Sequence, residues 1–159
     1  VFLNYNNWNV FKAEGNDNRL FDLDECVAFI TNKAAKKMAD AFNERLKSLG
    51  TTRVQWTALY YLGKYDGISQ KELAEKMNIK SSTVARLIDR MENDNLVIRL
   101  EDPEDRRAIK LALTEKGKEL REKLLPEGEK MSKIFASGLT DEEIEIFLKV
   151  INKMVENIS

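Results

Sequence analysis

The chain of 159 residues has no histidine, one cysteine and two prolines. Without imidazole there is no histidine general base, no histidine-ligated metal and no Ser–His–Asp relay. A single Cys26 excludes an intrachain disulfide and any Cys-x-x-Cys pair. Neither a Gly-x-x-x-x-Gly-Lys loop nor a Gly-x-Gly-x-x-Gly turn occurs. The apolar runs are too short to cross a bilayer, and no signal peptide is visible. The chain starts at Val1 without a methionine, which reads as a processed or incomplete start. Its carboxylates fall at helix caps and on solvated faces rather than in a cluster. The expectation is a cytoplasmic protein with no membrane partner, no enzyme activity, no cofactor and no metal.

What is present is concentrated between Ser69 and Gly117. Ser69-Gln70-Lys71-Glu72 is a capping box, in which the Ser69 hydroxyl caps Glu72 N–H and Glu72 reaches back to Ser69. Leu73, Ala74 and Met77 follow at helical spacing, and Asn78 stops the helix. A second helix restarts at Lys80-Ser81-Ser82-Thr83, whose hydroxyls are expected to cap it. Its apolar stripe is Val84, Leu87, Ile88 and Met91, at i, i+3, i+4 and i+7. Opposite lie Ser82, Thr83, Arg86 and Arg90, suited to base edges and phosphates. Asn93-Asp94-Asn95 ends this second helix.

Next comes a strand, Leu96-Val97-Ile98-Arg99-Leu100, apolar and β-branched. In a second strand Ile109, Leu111 and Leu113 alternate with Ala108, Lys110 and Ala112. Between them Glu101-Asp102-Pro103-Glu104-Asp105-Arg106-Arg107 reads as an exposed, charged turn. Helix, turn, helix and charged hairpin together make a winged helix-turn-helix, whose second helix suits the major groove of DNA.

The segments Ile79–Met91, Leu96-Val97, Asp102-Pro103-Glu104-Asp105-Arg106-Arg107 and Leu111-Ala112-Leu113-Thr114-Glu115-Lys116-Gly117 resemble the multiple-antibiotic-resistance regulator (MarR) family. The resemblance runs from about Asp22 to the C-terminus and is strongest across the wing. It implies a transcriptional regulator in which Asp105 orients Arg107 into the minor groove. Glu104 departs from the pattern, since some members carry a second basic residue there, and Arg106 is placed to compensate.

The net charge is −1, and residues 49–113 carry 11 basic against 10 acidic residues. DNA affinity is therefore expected from local placement of Lys71, Lys80, Arg86, Arg106 and Arg107, with Ser81, Ser82, Thr83, Arg90 and Asp105 completing the DNA-binding set. A rival reading is a winged-helix module that binds a protein partner and not DNA. The acidic wing residues Glu101, Asp102 and Glu104 sustain it.

The flanks read as long amphipathic helices. Asp22 to Leu49 is one helix, opened by an Asp22-x-x-Glu25 box and closed by Gly50, with Leu23, Val27, Ile30, Ala34, Met38, Ala41 and Phe42 on its stripe. Thr52 caps the next helix, which carries Val54, Trp56, Ala58, Leu59 and Leu62. Thr114 to about Ser137 is a helix expected to kink or break near Pro126. Thr140-x-x-Glu143 opens the last, with Ile144, Phe147, Leu148, Ile151, Met154, Val155 and Ile158 on one face. These faces exceed the needs of one lobe, so a homodimer is expected, as the resemblance also implies. It would set two recognition helices about 34 Å apart on a pseudo-palindromic operator.

The fold class is thus mainly α with a small β-hairpin wing, a winged helix-turn-helix lobe joined to a helical dimerisation lobe. Residues 1–21 form an N-terminal arm of interleaved aromatics and asparagines. Residues 22–159 form a single MarR-like domain, with the winged helix at about 52–113 and dimerisation helices at about 22–49 and 114–158. Phe42, Arg53, Trp56 and Tyr60 are a candidate site for a small aromatic effector, with plain core packing as the alternative. Cys26 matches, two residues early, the sensor cysteine of the family's peroxide-sensing branch. A buried structural cysteine is the favoured reading over an oxidation-sensing repressor.

Overall fold

The computed structural model describes residues 21–101 and 109–159. Its contacts fall into two units that part within the first helix, after Ala41. In the first unit Asp22 accepts from Asp24 N–H at 2.9 Å and caps a short 3-10 turn, Leu23–Glu25. Helix α1, Val27–Lys47, starts only after Cys26, whose backbone is extended at ψ 117°. The expected start at Asp22 is therefore corrected, because the aspartate is spent on the 3-10 turn. Cys26, expected to be buried, is only half-covered.

In the second unit α1 ends where Gly50, at φ +75°, takes the left-handed conformation, and Thr51 N–H returns to Leu46 O at 3.1 Å. Thr52 accepts from Gln55 N–H at 3.2 Å and caps α2, Arg53–Lys64. Strand β1, Ile68–Ser69, was not expected. It adds to the edge of a hairpin, pairing Ile68 with Leu111 and Ser69 with Lys110. The hairpin itself is β2, Val97–Glu101, and β3, Ile109–Leu113, in antiparallel register with Arg99 opposite Leu111. The sheet order is β1-β3-β2. Between β1 and β2 lie α3, Gln70–Met77, and α4, Ser81–Asn93.

One core joins these elements. Leu59 of α2, Leu73 of α3, Val84, Ile88 and Met91 of α4, and Val97 and Leu111 of the sheet are essentially fully buried. Burying a side chain of this size stabilises the fold by about 1.5–3 kcal/mol, so the stripe on α4 fixes which face that helix turns outward. The return from the wing is anchored locally. Thr114 Oγ1 donates to Asn95 O at 2.7 Å and accepts from Gly117 N–H at 3.0 Å. A Cβ on Gly117 would lie 2.1 Å from the Leu96 carbonyl oxygen. The Leu-Thr-x-x-Gly motif is thus a clasp between the end of α4 and the start of α5, Glu115–Phe135.

Pro126 does not break α5, which runs on for 21 residues. Of the expected kink or break, the break is corrected. Proline removes one helical hydrogen bond and crowds the carbonyl four residues back, but both Pro126 and Glu122, four residues before it, face solvent, where water can satisfy the spare carbonyl. Helices α2 and α5 approach closely through two glycines. Gly63 of α2 leaves room for Arg121 of α5, and Gly128 of α5 leaves room for Trp56 of α2. The Trp56 indole N–H donates to Leu124 O at 2.8 Å.

Beside this contact Glu127, its side chain only 12% exposed, accepts from Lys130 Nζ at 2.7 Å and from Arg45 Nε. Lys130 first, then Arg45, holds the Glu127 carboxyl below its ordinary pKa. A carboxyl depressed in the folded state adds stability that is present above its unfolded pKa and lost as pH falls through the folded one. Wild type is expected to lose stability below about pH 4.5, the unfolded value, more steeply than Glu127→Gln. Urea midpoints measured downward from neutral pH check this; parallel curves would refute it.

Helix α6, Asp141–Glu156, opens on a complete Thr140–Glu143 capping box. No α6 residue is fully buried, and Phe147, Leu148, Val150 and Val155 are each about half exposed or more. Ile146 and Val150 widen the apolar face beyond the expected stripe.

Candidate nucleic-acid interface

The Ser69–Glu72 box forms as expected, with Ser69 N–H donating to Glu72 Oε2 at 2.8 Å and Glu72 N–H to Ser69 Oγ at 3.2 Å. Asn78, at φ 51°, ends α3 in the left-handed conformation, and its short polar side chain tolerates that backbone. The turn delivers α4 with its apolar stripe inward. Advancing 100° per residue, the opposite arc carries Ser82, Thr83, Arg86, Asp89 and Arg90, all exposed.

The hydroxyls do not cap α4. The N-cap is Lys80, which has no side-chain acceptor, and its carbonyl takes the Thr83 and Val84 N–H groups at 2.9 and 3.2 Å. Ser81, Ser82 and Thr83 are instead exposed residues of the first turn. Arg90 Nε donates to Arg86 O at 3.2 Å, so the Arg90 stem lies along its own helix. Arg86 enters no ion pair among the described residues.

Lys71, Glu75, Asn78, Lys80 and Ser81 line a shallow groove of about 430 Å³ between α3 and the start of α4. Three of the expected DNA-binding residues, Lys71, Lys80 and Ser81, are thereby brought together. Asp105, Arg106 and Arg107 lie outside the described residues.

Arg99 was missed by the reading of the sequence. Its Nη2 donates to Asp89 Oδ1 at 2.6 Å and its Nη1 to Glu92 Oε2, tying β2 to α4. The signal was there: one arginine in an apolar strand, after two acids three residues apart on the preceding helix. Asp89, then Glu92, raises the Arg99 pKa above its ordinary value.

The expected effector residues are partly gathered. Phe42 meets Trp56 edge to face at 5.1 Å between centroids, and Trp56 stacks on Tyr60 at 5.9 Å. Arg53 is exposed at the first turn of α2, and its N–H donates to Asn43 Oδ1 at 3.2 Å.

A helix-turn-helix set between the first and second strands of a three-stranded sheet, whose last two strands form the hairpin, defines a winged-helix DNA-binding protein. The model of the MarR family matches residues 51–109. The HTH-type transcriptional regulator YybA of Bacillus subtilis is 32% identical over 124 residues, covering 78% of this chain and 83% of that one. The HTH-type transcriptional repressor MdtR of the same organism is 33% identical, over 69% and 70% of the two chains. MepR of S. aureus, solved as a DNA complex, matches the fold with a TM-score of 0.76 at 24% identity, over 84% of this chain and 97% of that one. The chain belongs to the MarR family of transcriptional regulators. Among the described residues no helix is long and apolar enough to cross a membrane.

Proposed function

We propose that the protein binds double-stranded operator DNA sequence-specifically as a homodimer, represses transcription in the cytoplasm, and is released by a small aromatic effector. The observation that carries the DNA reading is the exposed arc of α4, with Ser82, Thr83 and an Arg86 that has no ion pair among the described residues, opposite a fully buried stripe. In this reading the first turn and Arg86 enter the major groove, and Lys71, Lys80 and Arg90 meet phosphates. Asp105 orients Arg107 into the minor groove, with Arg106 beside it.

Residues 22–159 then act as one domain, the winged helix at about 52–113 and the dimer formed by helices at about 22–49 and 114–158. The half-exposed apolar face of α6 supports the dimer. Repression is supported by the name of the relative MdtR. The effector reading rests on the ring faces of Phe42, Trp56 and Tyr60, with Arg53, three residues before Trp56 on α2, able to pair with a carboxylate. Such a ligand releases DNA only by binding the DNA-incompetent arrangement more tightly than the competent one.

The test is a gel-shift titration on a duplex selected from a random pool. Arg86→Ala is expected to relax base preference and Arg107→Ala to weaken minor-groove binding, each by about 1–3 kcal/mol. Unchanged affinity in both folded variants would remove this binding mode. Repeating the titration with a panel of aromatic acids tests the effector; retention of the complex with every acid would refute release.

A further inference from the structure

We propose that Arg99 is a positioning residue for DNA binding, holding Asp89 and Glu92 in one fork so that neither carboxylate competes for Arg86 or faces the incoming phosphates. The proposal rests on the DNA-binding reading of α4.

Asp89 follows Arg86 by three residues and shares its solvent arc. Acid and base at that spacing on a helix pair with each other. An Asp89 free to do so would fold the Arg86 guanidinium back onto the helix. Left unpaired, it would set a negative charge among the groups that meet a polyanion. Neither arrangement is seen. Asp89 Oδ1 lies 2.6 Å from Arg99 Nη2, although its side chain is 60% exposed. Glu92 is taken by the other terminal nitrogen of the same guanidinium.

Only arginine suits this position. Its planar group presents donors on two nitrogens to two acceptors at once, whereas a lysine is a single point charge. Arg99 reaches them from the inward register of β2, opposite the buried Leu111, with its side chain 26% exposed. The guanidinium also leaves one net negative charge at the fork, against two for the carboxylates alone.

A fork that merely staples β2 to α4 would show the same contacts, but the two roles separate experimentally. Anisotropy titrations would use a duplex selected from a random pool by the wild type, and a sheared non-specific duplex, between about 50 and 200 mM salt. Arg99→Gln frees both acids and is expected to weaken binding about tenfold at the low-salt end. Arg99→Gln combined with Asp89→Asn and Glu92→Gln removes the acids as well. It is expected to recover wild-type affinity to within about twofold, although the fork is still absent.

A triple variant as weak as Arg99→Gln would overturn the proposal, leaving a staple. So would an Arg99→Gln protein that is folded by circular dichroism and binds like wild type. Should Arg99→Gln fail to fold, Asp89→Asn alone decides: binding at least as tight as wild type is expected, and a tenfold loss overturns the proposal. A wild type that binds neither duplex would instead sink the DNA reading itself.

Discussion

Gly117→Ala is expected to lower the free energy of unfolding by about 3 kcal/mol, the upper part of the range for an overpacked core. The added methyl would sit 2.1 Å from the Leu96 carbonyl oxygen. That oxygen is backbone, and it already accepts from Thr114 N–H at 3.1 Å, so it cannot rotate aside as a side chain could. The Thr114 hydroxyl ties the same junction to Asn95. Helix propensity pushes the other way, since alanine inside a helix is about 1 kcal/mol better than glycine. The sign of the result therefore discriminates. Urea unfolding with an unchanged slope and a lower midpoint is expected. A higher midpoint would mean that the wing's return does not press on the start of α5.

Ile151→Asp is expected to abolish the proposed homodimer and operator binding together. Ile151 is half-covered within one chain, and its neighbours Phe147, Leu148 and Val155 are each more than half exposed. A two-fold axis would bury the substituted residue twice. An unpartnered buried charge costs about 3–5 kcal/mol, enough to dissociate most dimers at working concentration. Light scattering should report wild type at twice the chain mass and the variant at one chain mass. The gel shift should be lost in parallel, because a single lobe reads only a half-site. A wild type that is already monomeric would sink both expectations.

Where the sequence could be read, the cause was local. The Ser69 and Thr140 boxes need only a side chain and a backbone N–H three residues away, and both formed with their partners as expected. The α4 stripe likewise needs nothing but periodicity, and all four of its residues are buried. Strand β1 was invisible because two residues have no pattern; it exists only where β3 offers an edge. The 3-10 turn at Leu23–Glu25 escaped because an aspartate caps two residues on as readily as it caps a helix. Pro126 misled as to a break for the opposite reason: the helix runs on through it, held by the packing of Leu124, Glu127 and Met131 on either side. The Arg99 fork joins residues seven and ten apart in different elements, so its parts were legible and its assembly was not.

The two glycines between α2 and α5 bear on the order in which this protein can change. Each helix supplies the gap that the other's large side chain fills, Gly63 for Arg121 and Gly128 for Trp56. Arg121 is flexible and can swing away from a methyl at position 63. Trp56 is rigid and tethered by its N–H to Leu124, so a methyl at position 128 meets an immovable ring. Enlarging position 128 is thus expected to cost less once position 56 has been made smaller, so that substitutions at the two positions couple rather than add.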